Sequence, residues 1–545
     1  MTANARRFTW ILWIALITVW FGTLDYRRLV RPDEGRYAEI PREMVASGDW
    51  LTPRLNAIKY FEKPALQYWA TAAGYAAFGE QQWTARLWPA LTGFFGVLLA
   101  WFTGRRLWGP QAGALSAAIL ASSLLYLVMS QVITLDMGLS FFLQLAWTGF
   151  FFAQQGDARS ARRWMWVAWA ALALAVLSKG LVALVLTGAT LFAYSLFNRD
   201  WSPWRRLAPL SGLLLFFAIA APWFVAVSLD NPEFAHFFFI HEHFERFLTT
   251  VHRRNQPGWY FFVIYALGAL PWTFMLLHAM LKSWRRAGAA PFQPQRFLLL
   301  WIVITFGFFS VSSSKLPSYI LPIFPALALL GGKLLSDLSR RAMLLHLGAL
   351  VLIALPALGF APRLVNGVDH EYSYEMLSGY ANWLTGAAVL LLLTLAAATY
   401  LAWNRRNMPA LIVLATGSLL AGSGVLLGHD NLAPYYSAHD IAAKTRPLLT
   451  PGVPFYSVRG YEQTLPFYLN RTVTLVEYTD ELAFGIEQEP DKWIATVAEF
   501  RPRWEQDKDA FAIMPLSVLP AMQAEGLPMQ EVARDKRNVI IRKPQ

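Results

Sequence analysis

Long apolar runs broken by short polar links dominate the chain as far as residue 428, after which the pattern changes to short alternating segments. A hydrocarbon core about 30 Å thick is spanned by roughly 20 apolar residues in a helix. Runs of that kind fall at residues 8–25, 87–107, 111–131, 136–154, 164–178, 180–198, 208–228, 259–281, 296–313, 318–336, 342–361, 380–403 and 408–428. Thirteen spans are therefore expected, the fifth and sixth divided only by Ser178, Lys179 and Gly180. Beyond His429, residues 453–458, 472–477, 509–514 and 539–542 read as strands, with amphipathic stretches at 493–500 and 516–524. The expected fold is an α-helical polytopic membrane protein of about 13 transmembrane helices over residues 1–429, followed by an α/β domain over 430–545.

Paired arginines orient this array. Arg6-Arg7, Arg105-Arg106, Arg162-Arg163, Arg205-Arg206, Arg285-Arg286, Arg340-Arg341 and Arg405-Arg406 all fall on one side when thirteen spans are counted. The positive-inside bias makes that side cytoplasmic. The N-terminus is then inside and the C-terminal domain outside. Arg6-Arg7 ahead of the apolar run 8–24 resembles the start of a signal peptide, but Asp25-Tyr26-Arg27-Arg28 follows in place of small residues. An uncleaved anchor is expected.

Composition agrees: 56% of residues are hydrophobic and only 15% charged, against about 25% charged in soluble domains. The absence of cysteine excludes disulfides and thiolate metal sites. The formal charge of +12 does not imply nucleic acid, because its arginines lie scattered in short loops where topology and anionic lipid head groups account for them. No P-loop and no Rossmann glycine pattern occurs, and no cytoplasmic loop is long enough for a nucleotide-binding domain. An enzyme of this layout must draw an activated substrate from the membrane.

The outer face carries the candidate chemistry. Residues 26–86 hold an adjacent carboxylate pair, Asp33-Glu34, with Arg36 and Tyr37 close behind, in a run that can form a helix along the membrane ending near Gly48. A solvated loop would also be charged, but carboxylates held among cations at a bilayer surface can orient a reacting group or a cationic substrate. Lys63, in Tyr60-Phe61-Glu62-Lys63-Pro64, could neutralise a leaving phosphate. In residues 229–258, Arg246 reads as a phosphate clamp. His241 and His243 share a face only if the segment is extended, and with Glu62 they form the candidate set for a divalent metal. Asp136 opens the fourth span, either as a helix cap or as a functional carboxylate. Lys179 and Lys315 lie at the same depth. Arg27, Arg28, Lys63, Arg246, Arg253, Arg254 and Lys315 all run against the usual charge bias. A polar, membrane-level cavity lined by Asp33, Asp136, Lys63, Arg246 and Lys315 is expected.

These residues carry a resemblance. RPDEGRYAEIPREMVASGDWLTP followed by YFEKPALQYW, then VITLDM, SKG, EHFERF and SKLPSYILP in the same order, resembles the bacterial lipid A 4-amino-4-deoxy-L-arabinose transferases. These belong to the polyprenyl-phosphate-dependent, protein-mannosyltransferase-like membrane glycosyltransferases of GT-C type. The likeness covers the whole membrane region and continues more weakly near Asp480-Glu481-Leu482.

The resemblance implies a donor of aminoarabinose on undecaprenyl phosphate and an acceptor phosphate on lipid A, at the periplasmic face of the bacterial inner membrane. It implies an inverting pentosyl transfer without a nucleotide cofactor, and resistance to polymyxin and other cationic peptides as the outcome. On this reading Asp33 orients the acceptor or the sugar amine, assisted by Glu34 and Asp136. Lys63, Arg246 and Lys315 hold the departing phosphate, and Arg36, Tyr37, Tyr319 and Glu481 complete the substrate site. The chain would act as a monomer among membrane lipids, with no nucleic-acid partner. The rival readings are a sibling enzyme moving mannose or another sugar to protein or polysaccharide, and a lipid transporter. Against the transporter stand the few charges deep within the spans and the crowding of polar residues on one face.

Overall fold

The computed structural model describes residues 3–245, 256–285 and 292–544. All thirteen apolar stretches are helical, and the protein is a multi-pass membrane protein, but they are not thirteen equal spans. Among the described residues, seven helices are long and apolar enough to cross a membrane, or eight if one bent pair counts as a single span. The others are shorter or more polar for a structural reason. Asp136–Gln155, for example, is buried along almost its whole length, so it meets neighbouring helices and can carry Gln144, Ser140 and Thr148.

The run expected as one span over 259–281 is two helices, Tyr260–Gly268 and Thr273–Ser283, bent by 111°. Pro271 lies at the break and cannot donate a backbone hydrogen bond. A second break, after Pro110–Ser122, faces it: Leu124 N–H donates to the Leu270 carbonyl at 3.2 Å, and Trp272 Nε1 donates to Ser122 Oγ at 2.9 Å. The two interruptions satisfy each other.

Beyond the membrane helices lies a mixed sheet. The first outer segment contributes a small hairpin, β1 (Arg54–Leu55) and β2 (Ile58–Lys59). The C-terminal sheet comprises β3 (Phe455–Val458), β4 (Thr474–Val476), β5 (Trp493–Ile494), β6 (Phe511–Pro515), β7 (Gln530–Arg534) and β8 (Asn538–Arg542), in the order β5-β4-β3-β6-β8-β7. Pairing is parallel from β5 to β6 and antiparallel through β8 and β7. Strands β5 and β7 were not expected, and residues 493–500 divide into β5 and the start of the helix Val497–Gln506.

Both faces of this sheet are covered. Phe500, Trp504 and Met522 pack on one. On the other, Leu475, Phe511, Ile513 and Ile540 share a core with Tyr37, Ile40, Met44, Tyr68 and Tyr75 of the first outer segment. That segment is therefore a structural layer between membrane and sheet. Its helix Asp33–Ser47 begins with two carboxylates in the first turn and ends at Gly48, whose φ of 75° lets its N–H reach the Met44 carbonyl at 3.0 Å. The helix lies under the sheet domain, and every residue from Glu34 to Met44 is buried. Its buried polar groups are partnered: Arg42 grips Glu39 through bonds of 2.7 and 2.5 Å, and Glu43, whose pKa burial and the neighbouring Glu39 push well up, accepts the backbone N–H groups of Asn56 and Ala57 at 2.6 and 2.7 Å. Gly35 permits the close approach, since a Cβ there would stand 2.6 Å from the Gln463 carbonyl carbon.

Candidate active site

Where the first outer segment, the membrane helices and the sheet domain meet there is a cavity of about 840 Å³. Asp33, Arg36 and Tyr37 reach it from the start of the buried helix, and Glu62 and Lys63 from the link after the hairpin. Asp136 and Lys179 reach it from the ends of two membrane helices, and Tyr319 from the turn that opens another. Residues 236–242 and the sheet domain, through Tyr461, Gln463, Asp480 and Glu481, close the remaining walls.

Its charges are arranged as ion pairs. Arg36 lies between Asp33, at 3.1 Å, and Glu481. Lys63 Nζ is 3.0 Å from Glu242 and 3.7 Å from Glu62. Lys179 pairs with Asp136 and sits 4.6 Å from the centre of the Tyr319 ring. A phosphate entering this cavity meets cations already fixed in place, and each one it takes releases a carboxylate into the site. Burial raises the pKa of Glu481 despite the opposing pull of Arg36, and burial holds the Tyr37 and Tyr60 phenols in their neutral, donating form.

Several expected residues thus come together: Asp33, Arg36, Tyr37, Glu62, Lys63, Asp136, His241, Tyr319 and Glu481 all line one cavity. Asp136 is the first residue of its helix with no side-chain cap bond, so its carboxylate serves the ion pair with Lys179 instead of capping.

Two expected side chains lie elsewhere. Glu34 is not in the cavity. It is fully buried, accepts from Arg86 Nε at 2.8 Å and from a second Arg86 nitrogen at 3.0 Å, and also from the Val30 N–H at 3.1 Å. Burial would raise its pKa, but attraction to Arg86 and Arg27 together with these bonds brings it to about 2. It is a structural carboxylate. Lys315 is also turned away: its ammonium donates to the Ser312 carbonyl at 2.7 Å, closing its own turn, while Leu316, Ser318 and Tyr319 line the cavity.

Arg246, Arg253 and Arg254 lie outside the described residues, as does the side chain of His243. Residues 237–245 form a π-helix, not an extended segment, so positions two apart do not share a face as the metal expectation required. The His241 ring stacks on Phe237 with centroids 5.0 Å apart. Among the described residues no group of three or more histidines and carboxylates could hold a metal ion.

Sequence reasoning missed Arg86 and, apart from Glu481, the walls supplied by the sheet domain. Arg86 had a signal, a cation directly ahead of an apolar run on the outer face. Tyr461, Gln463 and Arg537 had none, because their place depends on contacts hundreds of residues distant.

Comparison with known proteins follows the same division of the chain. The family model for dolichyl-phosphate-mannose-protein mannosyltransferase matches residues 7–238, and that for the aminoarabinose transferase C-terminal domain matches residues 441–543. An undecaprenyl phosphate-alpha-4-amino-4-deoxy-L-arabinose arabinosyl transferase of Pseudomonas aeruginosa is 31% identical over 512 residues, covering 87% of this chain and 90% of its own. One from Sodalis glossinidius is 38% identical over 333 residues, 58% of each chain. The crystal structure of ArnT from Cupriavidus metallidurans bound to undecaprenyl phosphate superposes over 100% of both chains with a TM-score of 0.94 and 37% identity, and its apo state with 0.93 and 38%. The ion-paired cavity thus belongs to a membrane glycosyltransferase, and the chain is a member of the undecaprenyl phosphate-alpha-4-amino-4-deoxy-L-arabinose arabinosyl transferase family.

Proposed function

We propose that this protein moves 4-amino-4-deoxy-L-arabinose from undecaprenyl phosphate to a phosphate of lipid A. The outer face, with its cavity and sheet domain, is periplasmic, the arginine pairs are cytoplasmic, and the membrane is the bacterial inner membrane. One observation carries the reading: Arg36, Lys63 and Lys179 line a single cavity beside Tyr319 and the outer ends of the membrane helices, where a lipid-borne phosphate can reach them.

An oxygen of the acceptor phosphate attacks the anomeric carbon, and the bond from that carbon to the donor phosphate breaks. The electron pair leaves with undecaprenyl phosphate, and the anomeric configuration inverts. An acceptor phosphate is already anionic at neutral pH, so no strong base is needed. Arg36, Lys63 and the Tyr319 hydroxyl stabilise the charge that gathers on the departing phosphate. Asp33, once Arg36 turns to phosphate, is free to hold the sugar ammonium or the acceptor, and the Asp136–Lys179 pair fixes the opposite wall. Each transfer adds an ammonium to an anionic lipid and so weakens the attraction of polycations such as polymyxin.

The test is mass analysis of lipid A from cells carrying wild type, Asp33→Asn or Lys63→Ala, with expression and folding verified. Wild type is expected to yield aminoarabinose-modified lipid A and both variants to lose it. Unchanged lipid A in wild-type cells, with a different sugar on protein or polysaccharide, would replace this reading by the sibling transferase.

A further inference from the structure

An in-line displacement brings nucleophile and leaving group to the anomeric carbon from opposite sides, so two phosphates require two separate sets of cations. Of the lysines and arginines lining the cavity among the described residues, Arg36, Lys63, Lys179 and Arg537 each face a carboxylate in an ion pair. Arg31 faces none. Its Nε is buried without a hydrogen-bond partner, although its backbone is anchored by donation to the Tyr436 carbonyl at 2.9 Å. A fixed main chain carrying a guanidinium whose buried Nε has no partner, in a cavity wall, offers a site for an anion.

The surroundings fit the same ligand. The guanidinium carbons of Arg31 and Arg537 lie 5.5 and 5.6 Å from the centre of the Tyr435 ring. Arg537 is held by Glu462 and donates from Nε to the Tyr435 carbonyl at 2.8 Å. Burial and the repulsion of Arg31 lower the Arg537 pKa to about 10, so an anion between them would relieve both. The carboxyl of Asp535 feels the charge of Arg31, but its Oδ1 is already occupied by the backbone N–H groups of Arg537 and Asn538, at 2.7 and 2.6 Å. Tyr435 follows the last membrane helix and Arg31 follows the first, so this corner lies where a lipid head group enters from the bilayer.

We propose that Arg31, flanked by Tyr435 and Arg537, binds the acceptor phosphate, apart from the Arg36 and Lys63 set that holds the donor phosphate. The proposal rests on the function given above. The ligand is a phosphate monoester, and its position at the membrane surface points to one carried on a lipid and not free in solution.

The experiment uses the full-length protein in lipid nanodiscs with donor and acceptor varied separately. Arg31→Gln is expected to raise the acceptor KM roughly tenfold or more, the worth of one charged hydrogen bond, while the donor KM and undecaprenyl phosphate binding stay unchanged. Arg31→Lys keeps the charge and is expected to fall between, so it covers the case in which the glutamine variant folds poorly. A donor KM that rises while the acceptor KM does not, or no change in either for both variants, overturns the proposal. Inorganic phosphate forms the second arm. Competition with the acceptor in wild type that Arg31→Gln abolishes supports the site, whereas lost competition with an unmoved acceptor KM would assign it to free phosphate and overturn the acceptor role. If wild type transfers no sugar to lipid A in this assay, the functional reading itself has failed, which is a distinct result.

Discussion

Replacing Glu34 by glutamine separates a structural carboxylate from a catalytic one. Glu34 is buried between two arginines, with Arg86 bonded at 2.8 and 3.0 Å and Arg27 at 3.7 Å. Arg86 continues into the backbone, donating to the carbonyls of Leu24, Arg27 and Arg28 at 2.8, 2.6 and 3.0 Å. The three side chains thereby tie the exit of the first membrane helix to the start of the buried helix and the next span. Without the Glu34 charge, two buried cations face each other, and Arg27, whose pKa burial and Arg86 already lower to about 10, bears the cost. Removing one partner of a buried pair costs roughly 3–5 kcal/mol. The carboxyl pKa gives a similar figure, since lowering it from 4.5 to about 2 corresponds to roughly 3 kcal/mol at neutral pH. The sign is that of a depressed acid: the stabilisation is complete above pH 4.5 and is lost as pH falls toward 2. Thermal inactivation in detergent at neutral pH is therefore expected to begin well below the wild-type temperature for Glu34→Gln. The double variant Glu34→Gln/Arg86→Gln should be less damaged than the two single effects added. Folded Glu34→Gln protein should keep the wild-type donor KM. Wild-type stability combined with a large loss of kcat would refute this and return Glu34 to the chemistry.

Gly35→Ala places a methyl group 2.6 Å from the Gln463 carbonyl carbon and 2.7 Å from the Thr464 nitrogen, so the buried helix and sheet domain must part, at about 1–3 kcal/mol. Thermal denaturation should show the drop, while Gly22→Ala, with nothing within 4 Å of the new Cβ, serves as the matched control. Glu481 takes up its proton at a higher pH than an exposed glutamate because burial raises its pKa. The pair with Arg36 therefore weakens at a higher pH than an exposed carboxylate pair would, and the acid limb of the wild-type pH–rate profile should disappear in Glu481→Gln. An identical acid limb in both proteins would refute that role. Lys63→Ala removes the cation that pairs with both Glu62 and Glu242, so undecaprenyl phosphate binding should weaken by roughly tenfold or more. Titration against the purified protein measures it.

The positions of the membrane helices were legible because an apolar run is a local property, and so was the end of the buried helix at Gly48, a residue suited to its left-handed turn. Straightness was not legible: the bend at Leu270–Trp272 depends on Ser122 and Leu124, well over a hundred residues earlier, which supply the partners for the broken ends. The site divides the same way. Asp33, Lys63, Asp136 and Tyr319 could be singled out as polar groups in improbable places, and the cavity brings them together. What no local pattern gives is the direction in which a side chain points. Asp33 and Glu34 are adjacent, of one chemical type and in one motif, but successive residues on a helix diverge by about 100°. One carboxylate therefore faces Arg36 and the cavity, while the other faces Arg86 and the interior. On the proposed mechanism the pair is a junction where one acid serves the reaction and its neighbour holds the segment that presents it. Losing either would silence the enzyme, and only a measurement that separates folding from turnover can tell the two losses apart.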